Sequence, residues 1–472
     1  MKRASLALIV CFLPLFATGC EKKEEASYSI VGEYDPETHV FAGTLDFTMT
    51  NRTGDVLPDL RFQLYGNAYR EGAVYQPLSL AYRSAYYDKL DYGATTIVSV
   101  SEDYVVGGTD ENLLIVDVPD LAEGKSTRVK IEFETKLAKV NHRLGVGQHC
   151  VNLANFYPIL CVYDGGWQEC IYYNVGDPFY SDCASYDVEL TLPASYTVAA
   201  SANLVSERKT GEKKTCRYQA DRLRDFAFVL GEGLSVLTEQ VDGATLSYYY
   251  GEDEKAKEHF KLYKDSFSYF SDTFGTCMYD SLSLVQTDFP FAGMEYGGLM
   301  MVSNALAEET LTYAIVHETA HEWWYEGVGN DQRNHAWMDE GLAEYSCVLF
   351  FENHDYGFTR EGVMTTSKKA IRSYVGIYAQ LFGKTDTSAS RNLSTFMSEY
   401  EYANLIYNQG IVLFDGLRES IGDKRFLSGL SSYYASFVGK IAREEDLISS
   451  FRQTGVDVDG YFNSFLQGKV VI

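Results

Sequence analysis

Two histidines and a glutamate in one short segment have the types and spacing of a metal-dependent hydrolytic site. The segment His317-Glu318-Thr319-Ala320-His321 has the form H-E-x-x-H and lies where the apolar residues repeat with helical spacing. Positions i and i+4 share one face of a helix, so both imidazoles can reach one zinc ion at about 2.0–2.1 Å. Glu318 then lies close enough to contact water on that ion without being a ligand itself.

A catalytic zinc needs a third protein ligand and one open position. A Gly-x-x-His sequence directly after the motif would indicate a metzincin, but Trp324 and Gly327 occupy those positions, so that class is excluded. Glu340 follows His321 after eighteen residues, at the start of a second segment with helical spacing. We predict that Glu340 is the third ligand and that each chain binds one Zn²⁺. The alternative is a surface glutamate that the helix dipole favours in a first turn.

These residues resemble the gluzincin metallopeptidases, and specifically the aminopeptidase N family, which includes leukotriene hydrolase. Two further segments carry the resemblance. Gly293-Met294-Glu295-Tyr296 is similar to the end of the G-[AG]-M-E-N exopeptidase motif, with Tyr296 in place of Asn. Tyr407-Asn408-Gln409-Gly410 is similar to Y-E-K-G, with Gln409 in place of Lys.

The resemblance implies a role for each of these side chains. Glu318 would act as the general base, and Tyr407 would donate a hydrogen bond to the tetrahedral oxyanion. Glu295, with Gly293 and Met294 beside it, would bind the free α-ammonium group of a peptide. The predicted function is therefore a zinc-dependent aminopeptidase that uses a metal-activated water to remove N-terminal residues from peptides.

Three other interpretations of these residues remain open. Glu344, one helical turn after Glu340, is either a partner that orients His317 or a solvated glutamate. The two departures from the family motifs, and the absence of a long C-terminal helical domain found in many members, leave a zinc endopeptidase or a peptidase of altered specificity as an alternative. A surface-binding lipoprotein without turnover is a third possibility.

The elements that must position these residues show two patterns of apolar spacing, one in each half of the chain. From about residue 28 to 237, short runs alternate with period two, as in residues 44–49, 128–133 and 186–192, which predicts antiparallel strands. Residues 51–55 and 209–212 have the composition of hairpin turns. Helical spacing then appears in residues 253–274, 308–326, 340–352, 363–381 and 405–421.

The predicted fold class is α+β with two domains. An N-terminal antiparallel β domain, residues 28–237, precedes a mainly helical domain, residues 238–472. The family resemblance implies a saddle-like form for the first domain and a thermolysin-like form for the second.

The first twenty residues predict export. Lys2 and Arg3 precede an apolar run of eleven residues, Leu6 to Phe16, which is too short to cross a bilayer and suits a secretory signal. Ala17-Thr18-Gly19-Cys20 resembles the lipobox of bacterial lipoproteins. We therefore expect a signal peptide at 1–19, a lipid-modified Cys20, a tether at 20–27 and a membrane-anchored protein in the bacterial cell envelope. An ordinary cleaved signal peptide is the alternative.

Composition excludes some classes of protein. The chain of 472 residues has a formal net charge of −26, which argues against nucleic acid as a partner because phosphate binding needs a basic face. A hydrophobic fraction of 46% excludes global disorder. Nine cysteines are present, and their pairing cannot be deduced from their spacing.

Overall fold

The structure, a computed structural model, describes residues 26–383, 385–452 and 458–469. The predicted signal peptide and Cys20 lie outside the described residues. No helix in the described ranges combines the length and the apolar character that crossing a membrane requires.

Strands dominate the first part of the chain. In chain order they are β1 (Ala26–Asp35), β2 (Val40–Thr50), β3 (Leu57–Gln63), β4 (Ala94–Val100), β5 (Tyr104–Gly107), β6 (Leu113–Leu121), β7 (Ser126–Lys136), β8 (Leu144–Val146), β9 (Cys150–Ala154), β10 (Ile159–Leu160), β11 (Ala184–Pro193), β12 (Tyr196–Ala200), β13 (Asn203–Thr210), β14 (Lys213–Leu223) and β15 (Ala227–Glu232). They form three sheets with the orders β13-β14-β11-β1-β2-β7-β4, β10-β3-β6-β5 and β12-β15-β9-β8. Pairing is antiparallel except between β1 and β11, which run parallel. The predicted strands at 44–49, 128–133 and 186–192 lie in β2, β7 and β11. In β11 every second residue is buried, as the alternating sequence predicts.

One predicted hairpin is confirmed and the other is wrong. Residues 209–212 connect the paired strands β13 and β14, with Gly211 at a φ of 63°. Residues 51–55 connect β2 to β3, and these strands belong to different sheets. The reason is the buried side chain of Asn51, whose Nδ2 donates to the carbonyls of Asp55 at 2.8 Å and Leu121 at 2.7 Å. These bonds fold the chain into a bend that crosses between sheets.

The second part of the chain combines one sheet with most of the helices. Its sheet has the order β16-β17-β18-β20-β19, formed by β16 (Ser235–Val241), β17 (Ala244–Tyr250), β18 (Ser281–Thr287), β19 (Gly293–Tyr296) and β20 (Leu299–Ser303). The remaining short pair is β21 (Val328–Gly329) with β22 (Lys440–Ile441). Strand β16 spans the predicted boundary between residues 237 and 238 and pairs with β17.

Ten α-helices lie within the described residues. They are α1 (Ala256–Phe274), α2 (Glu308–His321), α3 (Gln332–His335), α4 (Glu340–Asn353), α5 (Arg360–Phe382), α6 (Glu399–Tyr402), α7 (Gln409–Ile421), α8 (Asp423–Phe437), α9 (Glu444–Arg452) and α10 (Asp459–Leu466). Five of these ten, α1, α2, α4, α5 and α7, correspond to the predicted helical segments, and the other five were not predicted. A π-helical turn, Ala403–Asn408, joins α6 to α7. The predicted segment 308–326 is too long, because α2 ends at His321. The fold class is confirmed: a sheet-rich N-terminal unit precedes a mainly helical one.

Three tryptophans stabilise the helices that carry the motif. Trp323, Trp324 and Trp337 are fully buried, and each indole N–H donates to a protein acceptor. The Trp324 indole donates to Ser346 Oγ at 2.9 Å and thereby links the segment after α2 to α4. Because a buried indole needs a partner for its N–H, the Trp324 bond helps to fix how the two helices meet.

The seven cysteines within the described residues are buried thiols, and none of them forms a disulfide. Burial raises the pKa of Cys150 to about 12 and that of Cys347 to about 11. These thiols therefore act as small apolar side chains of the core.

Candidate active site

Helices α2 and α4 bring three side chains together. His317 Nε2 and His321 Nε2 lie 3.0 Å apart, and Glu340 Oε2 lies 3.2 Å from the first and 3.3 Å from the second. Ligand atoms at about 2.0–2.1 Å from a tetrahedral zinc are themselves about 3.3 Å apart. Glu340 Oε2 is buried and has no hydrogen-bond partner. An orphaned carboxylate oxygen facing two imidazole nitrogens at this spacing fits a zinc ion.

The outer nitrogens of both imidazoles face acceptors. His321 Nδ1 lies 2.9 Å from the Trp324 carbonyl oxygen, which can only accept, so Nδ1 carries the proton and Nε2 presents its lone pair. His317 Nδ1 lies 3.2 Å from Glu344 Oε1, close enough for an ion pair but without a hydrogen bond between the two atoms. The structure thus places Glu344 beside His317, where the sequence left its position open.

Tyr313 extends this arrangement and was missed in the sequence. Its hydroxyl donates to Glu344 Oε2 at 2.7 Å, so Tyr313, Glu344 and His317 form a chain of polar contacts. Tyr313 precedes His317 by four residues and shares its helical face, which is the signal that would have identified it.

The electrostatics of the three converging side chains favour a cation between them. Burial alone would raise the pKa of Glu340, but the adjacent His317 and His321 outweigh it and hold this pKa well below its usual range. Burial would lower the pKa of His321, yet the Glu295 and Glu340 carboxylates outweigh it and raise this pKa to about 10. The carboxylates thus favour positive charge at this point. A divalent ion supplies that charge when the imidazole rings are neutral.

Glu318 lies beside this cluster in a space that Gly293 leaves open. A Cβ atom at Gly293 would lie 2.2 Å from Glu318 Oε1, so a side chain there would displace the Glu318 carboxylate from its present position. Burial raises the pKa of Glu318 to about 8, although His317 and His321 oppose the shift. A carboxylate with a raised pKa in reach of the metal position suits a general base.

Tyr407 reaches the cluster from the π-helical turn. Its hydroxyl donates to Glu340 Oε1 at 2.6 Å, and its ring stacks on His317 at a centroid distance of 5.9 Å. A Cβ at Gly410 would lie 2.6 Å from Gly341 Cα, so α7 and α4 approach closely through two glycines. Wide helical turns of this kind occur frequently at functional sites.

The two departures from the family motifs face away from the metal position. Gln409 Nε2 donates to the carbonyls of Thr387 at 3.0 Å and Phe465 at 3.4 Å. The Tyr296 hydroxyl donates to Asn155 Oδ1 at 3.3 Å, in the N-terminal unit. Both side chains are buried and support the packing around the site.

Glu295 lies on the edge strand β19, on the side of the cluster where His321 lies. Its Oε1 accepts a hydrogen bond of 3.0 Å from Gln332 Nε2. Burial raises the pKa of Glu295 to about 7, against the opposing effect of His321. The neighbouring Met294 is buried, and its side chain belongs to the hydrophobic core. No motif or spacing in the sequence singles out Gln332.

A cavity of about 430 Å³ opens beside His317 and Glu318. Its lining includes the small residues Ala292, Gly293 and Ala314, the aromatic residues Phe291, Tyr313, Phe358 and Tyr407, and the more polar Glu309, Thr310 and Glu344. Glu295 does not line it. Glu318 therefore has the Glu295 carboxylate on one side and a mainly apolar cavity on the other.

Comparisons with known proteins agree with this geometry. Residues 252–465 match the Peptidase family M1 domain. Human endoplasmic reticulum aminopeptidase 2 is 23% identical over 240 residues, which cover 46% of this chain and 24% of that relative. The chain thus spans about a quarter of the length of this curated relative.

Solved structures share the fold across both units. The M1 zinc metallopeptidase of Deinococcus radiodurans is 17% identical and aligns with a TM-score of 0.66 over 95% of each chain. A mutant of that enzyme bound to a Tyr-Ser-Ala substrate aligns with a TM-score of 0.64 at 16% identity, again over 95% of each chain.

Proposed function

We propose that this chain, whose residues 252–465 match the Peptidase family M1 domain, is a zinc-dependent aminopeptidase acting on peptides with a free N-terminus. One observation carries the proposal: His317, His321 and Glu340 converge within 3.3 Å of one another while Glu318 and Glu295 lie beside them. A binding protein would need neither a buried base nor a buried carboxylate beside a metal position.

The residues of the chain divide the reaction between them. His317, His321 and Glu340 would hold Zn²⁺, which polarises a peptide carbonyl and lowers the pKa of water when it is bound. Glu318 accepts a proton from the attacking water and returns one to the leaving amine. The Tyr407 hydroxyl donates to Glu340 Oε1 at 2.6 Å in this structure, and it would donate to the developing oxyanion after turning away from that carboxylate.

Recognition of the peptide follows from charge and shape. A buried carboxylate at Glu295 attracts the α-ammonium group that only a chain end provides. The cavity of about 430 Å³ on the Glu318 side leaves room for the residues after the scissile bond. The Tyr-Ser-Ala peptide bound to the Deinococcus radiodurans enzyme supports a peptide as the substrate class.

The test is a panel of aminoacyl-fluorophores assayed beside their N-acetylated forms. We expect cleavage of the free-amine substrates, loss of activity with a chelator and recovery on addition of zinc. Equal cleavage of the acetylated forms would favour the endopeptidase instead. Absence of turnover on both sets, with zinc bound, would favour the binding lipoprotein.

We also propose that the protein is exported and anchored to a membrane of the bacterial cell envelope through lipid on Cys20. The support is the short apolar run and the Gly19-Cys20 pair of the sequence. Cys20→Ser is expected to abolish labelling by radioactive palmitate and to release the protein from the membrane fraction. Unchanged labelling of this variant would contradict the proposal.

A further inference from the structure

One side-chain amide lies between two buried carboxylates beside the candidate metal ligands. Gln332 Nε2 donates to Glu295 Oε1 at 3.0 Å and to Asp339 Oδ2 at 2.7 Å. A primary amide nitrogen has two protons, so one amide serves both carboxylates. The three side chains come from β19, from α3 and from the residue that precedes α4, and all three are buried.

Asp339 takes part in this bridge instead of capping its helix. An aspartate just before a helix commonly accepts a hydrogen bond from a backbone N–H of the first turn. Asp339 makes no such bond at the start of α4. Its second oxygen, Oδ1, accepts from Asn330 Nδ2 at 2.9 Å. Two side-chain amides therefore direct this carboxylate toward Glu295.

The two carboxylates and His321 surround a position suited to a small cation. Ligand atoms of Glu295, Asp339 and His321 all lie within 4.8 Å of one another. His321 is not available to a second metal, because Nδ1 faces the Trp324 carbonyl and Nε2 faces His317 and Glu340. Two carboxylates alone, without further ligands, suit an ammonium group better than a metal ion.

Gln332 is a neutral donor in a place where a cation would cancel the charge. Carboxylates this close repel each other unless a donor or a cation lies between them. An arginine or lysine here would neutralise the pair and remove its attraction for substrate. The amide holds both side chains in place without adding a positive charge of its own.

We propose that Gln332 is a positioning residue that holds Glu295 and Asp339 as a carboxylate pair for the α-ammonium group of the substrate. This inference rests on the proposed function and deepens it. The residue acts through Glu295, so its loss should weaken binding of the free amine and leave the chemistry at Glu318 nearly intact.

The test compares Gln332→Met with Asn330→Leu on the best aminoacyl-fluorophore of the panel. Met is similar in length to Gln and lacks the donor, and Asn330 donates to Asp339 but not to Glu295. We expect Gln332→Met to raise KM about tenfold or more, with kcat within about threefold and zinc content unchanged. Asn330→Leu should raise KM less. An unchanged KM in Gln332→Met, or a fall in kcat alone, would overturn the inference.

Two further comparisons keep the outcome decisive. If Gln332→Met does not fold, as judged by circular dichroism, Gln332→Asn replaces it, because an amide one methylene shorter cannot span both carboxylates. The same rise in KM supports the bridge, and an unchanged KM overturns it. If the wild-type protein cleaves no aminoacyl substrate, the proposed function fails and this inference fails with it. If the wild-type protein cleaves these substrates, the Gln332 variants test the inference alone.

Discussion

A methyl group at Gly293 would lie 2.2 Å from Glu318 Oε1 and 2.4 Å from Glu318 Cδ. The edge strand β19 and the helix α2 therefore meet through a backbone without a side chain. This close approach places the proposed base beside the strand that carries Glu295, and it makes the glycine a requirement of the site.

The first prediction concerns that contact. Gly293→Ala should lower kcat/KM by about 10²-fold or more, because the Glu318 carboxylate must move to make room for the methyl group. Zinc content should stay at the wild-type level. The measurement is steady-state kinetics together with metal analysis of the purified variant.

Gly376→Ala is the matched control for this substitution. Gly376 lies within α5, and nothing lies within 4 Å of its would-be Cβ. Alanine there should leave activity unchanged and stabilise the helix by about 0.5–1 kcal/mol. Full activity in Gly293→Ala would show that Glu318 does not need its present position.

The second prediction concerns the carboxylate behind His317. Glu344→Gln removes the charge that lies 3.2 Å from His317 Nδ1, and we expect zinc affinity to fall by about 10–100-fold. Tyr313→Phe removes only the hydrogen bond to Glu344 and should weaken affinity less. Competition with a fluorescent chelator measures both. If Glu344→Gln binds zinc with wild-type affinity, Glu344 is a solvated glutamate that does not support His317.

The third prediction concerns stability and pH. Burial raises the pKa of Asp225 to about 7, although Arg224 opposes the shift, and Glu295, Glu326 and Asn155 also face this carboxyl. The folded chain thus keeps a proton that the unfolded chain loses near pH 4. The associated stability is fully present below that pH and is lost as pH rises through about 7.

Asp225→Asn should therefore flatten the dependence of unfolding on pH. Between pH 5.5 and 8, the slope of the free energy of unfolding should differ from wild type by up to about 1.4 kcal/mol per pH unit. Thermal unfolding of both proteins across this range is the measurement. Parallel curves would show that Asp225 does not titrate in the folded state.

Sequence reasoning located His317 and His321 as candidate ligands because their spacing depends only on helix geometry, which puts i and i+4 on one face. Glu340, eighteen residues further on, was selected by its interval from the motif and by the resemblance to a known family. The helices α1, α2, α4, α5 and α7 and the strands β2, β7 and β11 were predictable from the periodicity of their apolar residues.

The rest of the site depends on contacts that span the fold. Gln332 and Asp339 are near each other in sequence, but Glu295 lies 37 or more positions away, and only the tertiary fold brings the three side chains together. The strands β18 to β20 are almost entirely buried, so they show no alternation that would mark them. The bend at residues 51–55 follows from one buried asparagine side chain, which turn composition does not reveal.

The most direct measurement is the zinc content and affinity of wild-type protein, Glu340→Ala and Glu318→Gln, purified without chelator. The account predicts one zinc per chain in wild type, loss of stoichiometric zinc in Glu340→Ala, and retained zinc with turnover lowered by about 10²–10⁴-fold in Glu318→Gln. Stoichiometric zinc with unchanged affinity in Glu340→Ala, or no zinc in wild type, would contradict it.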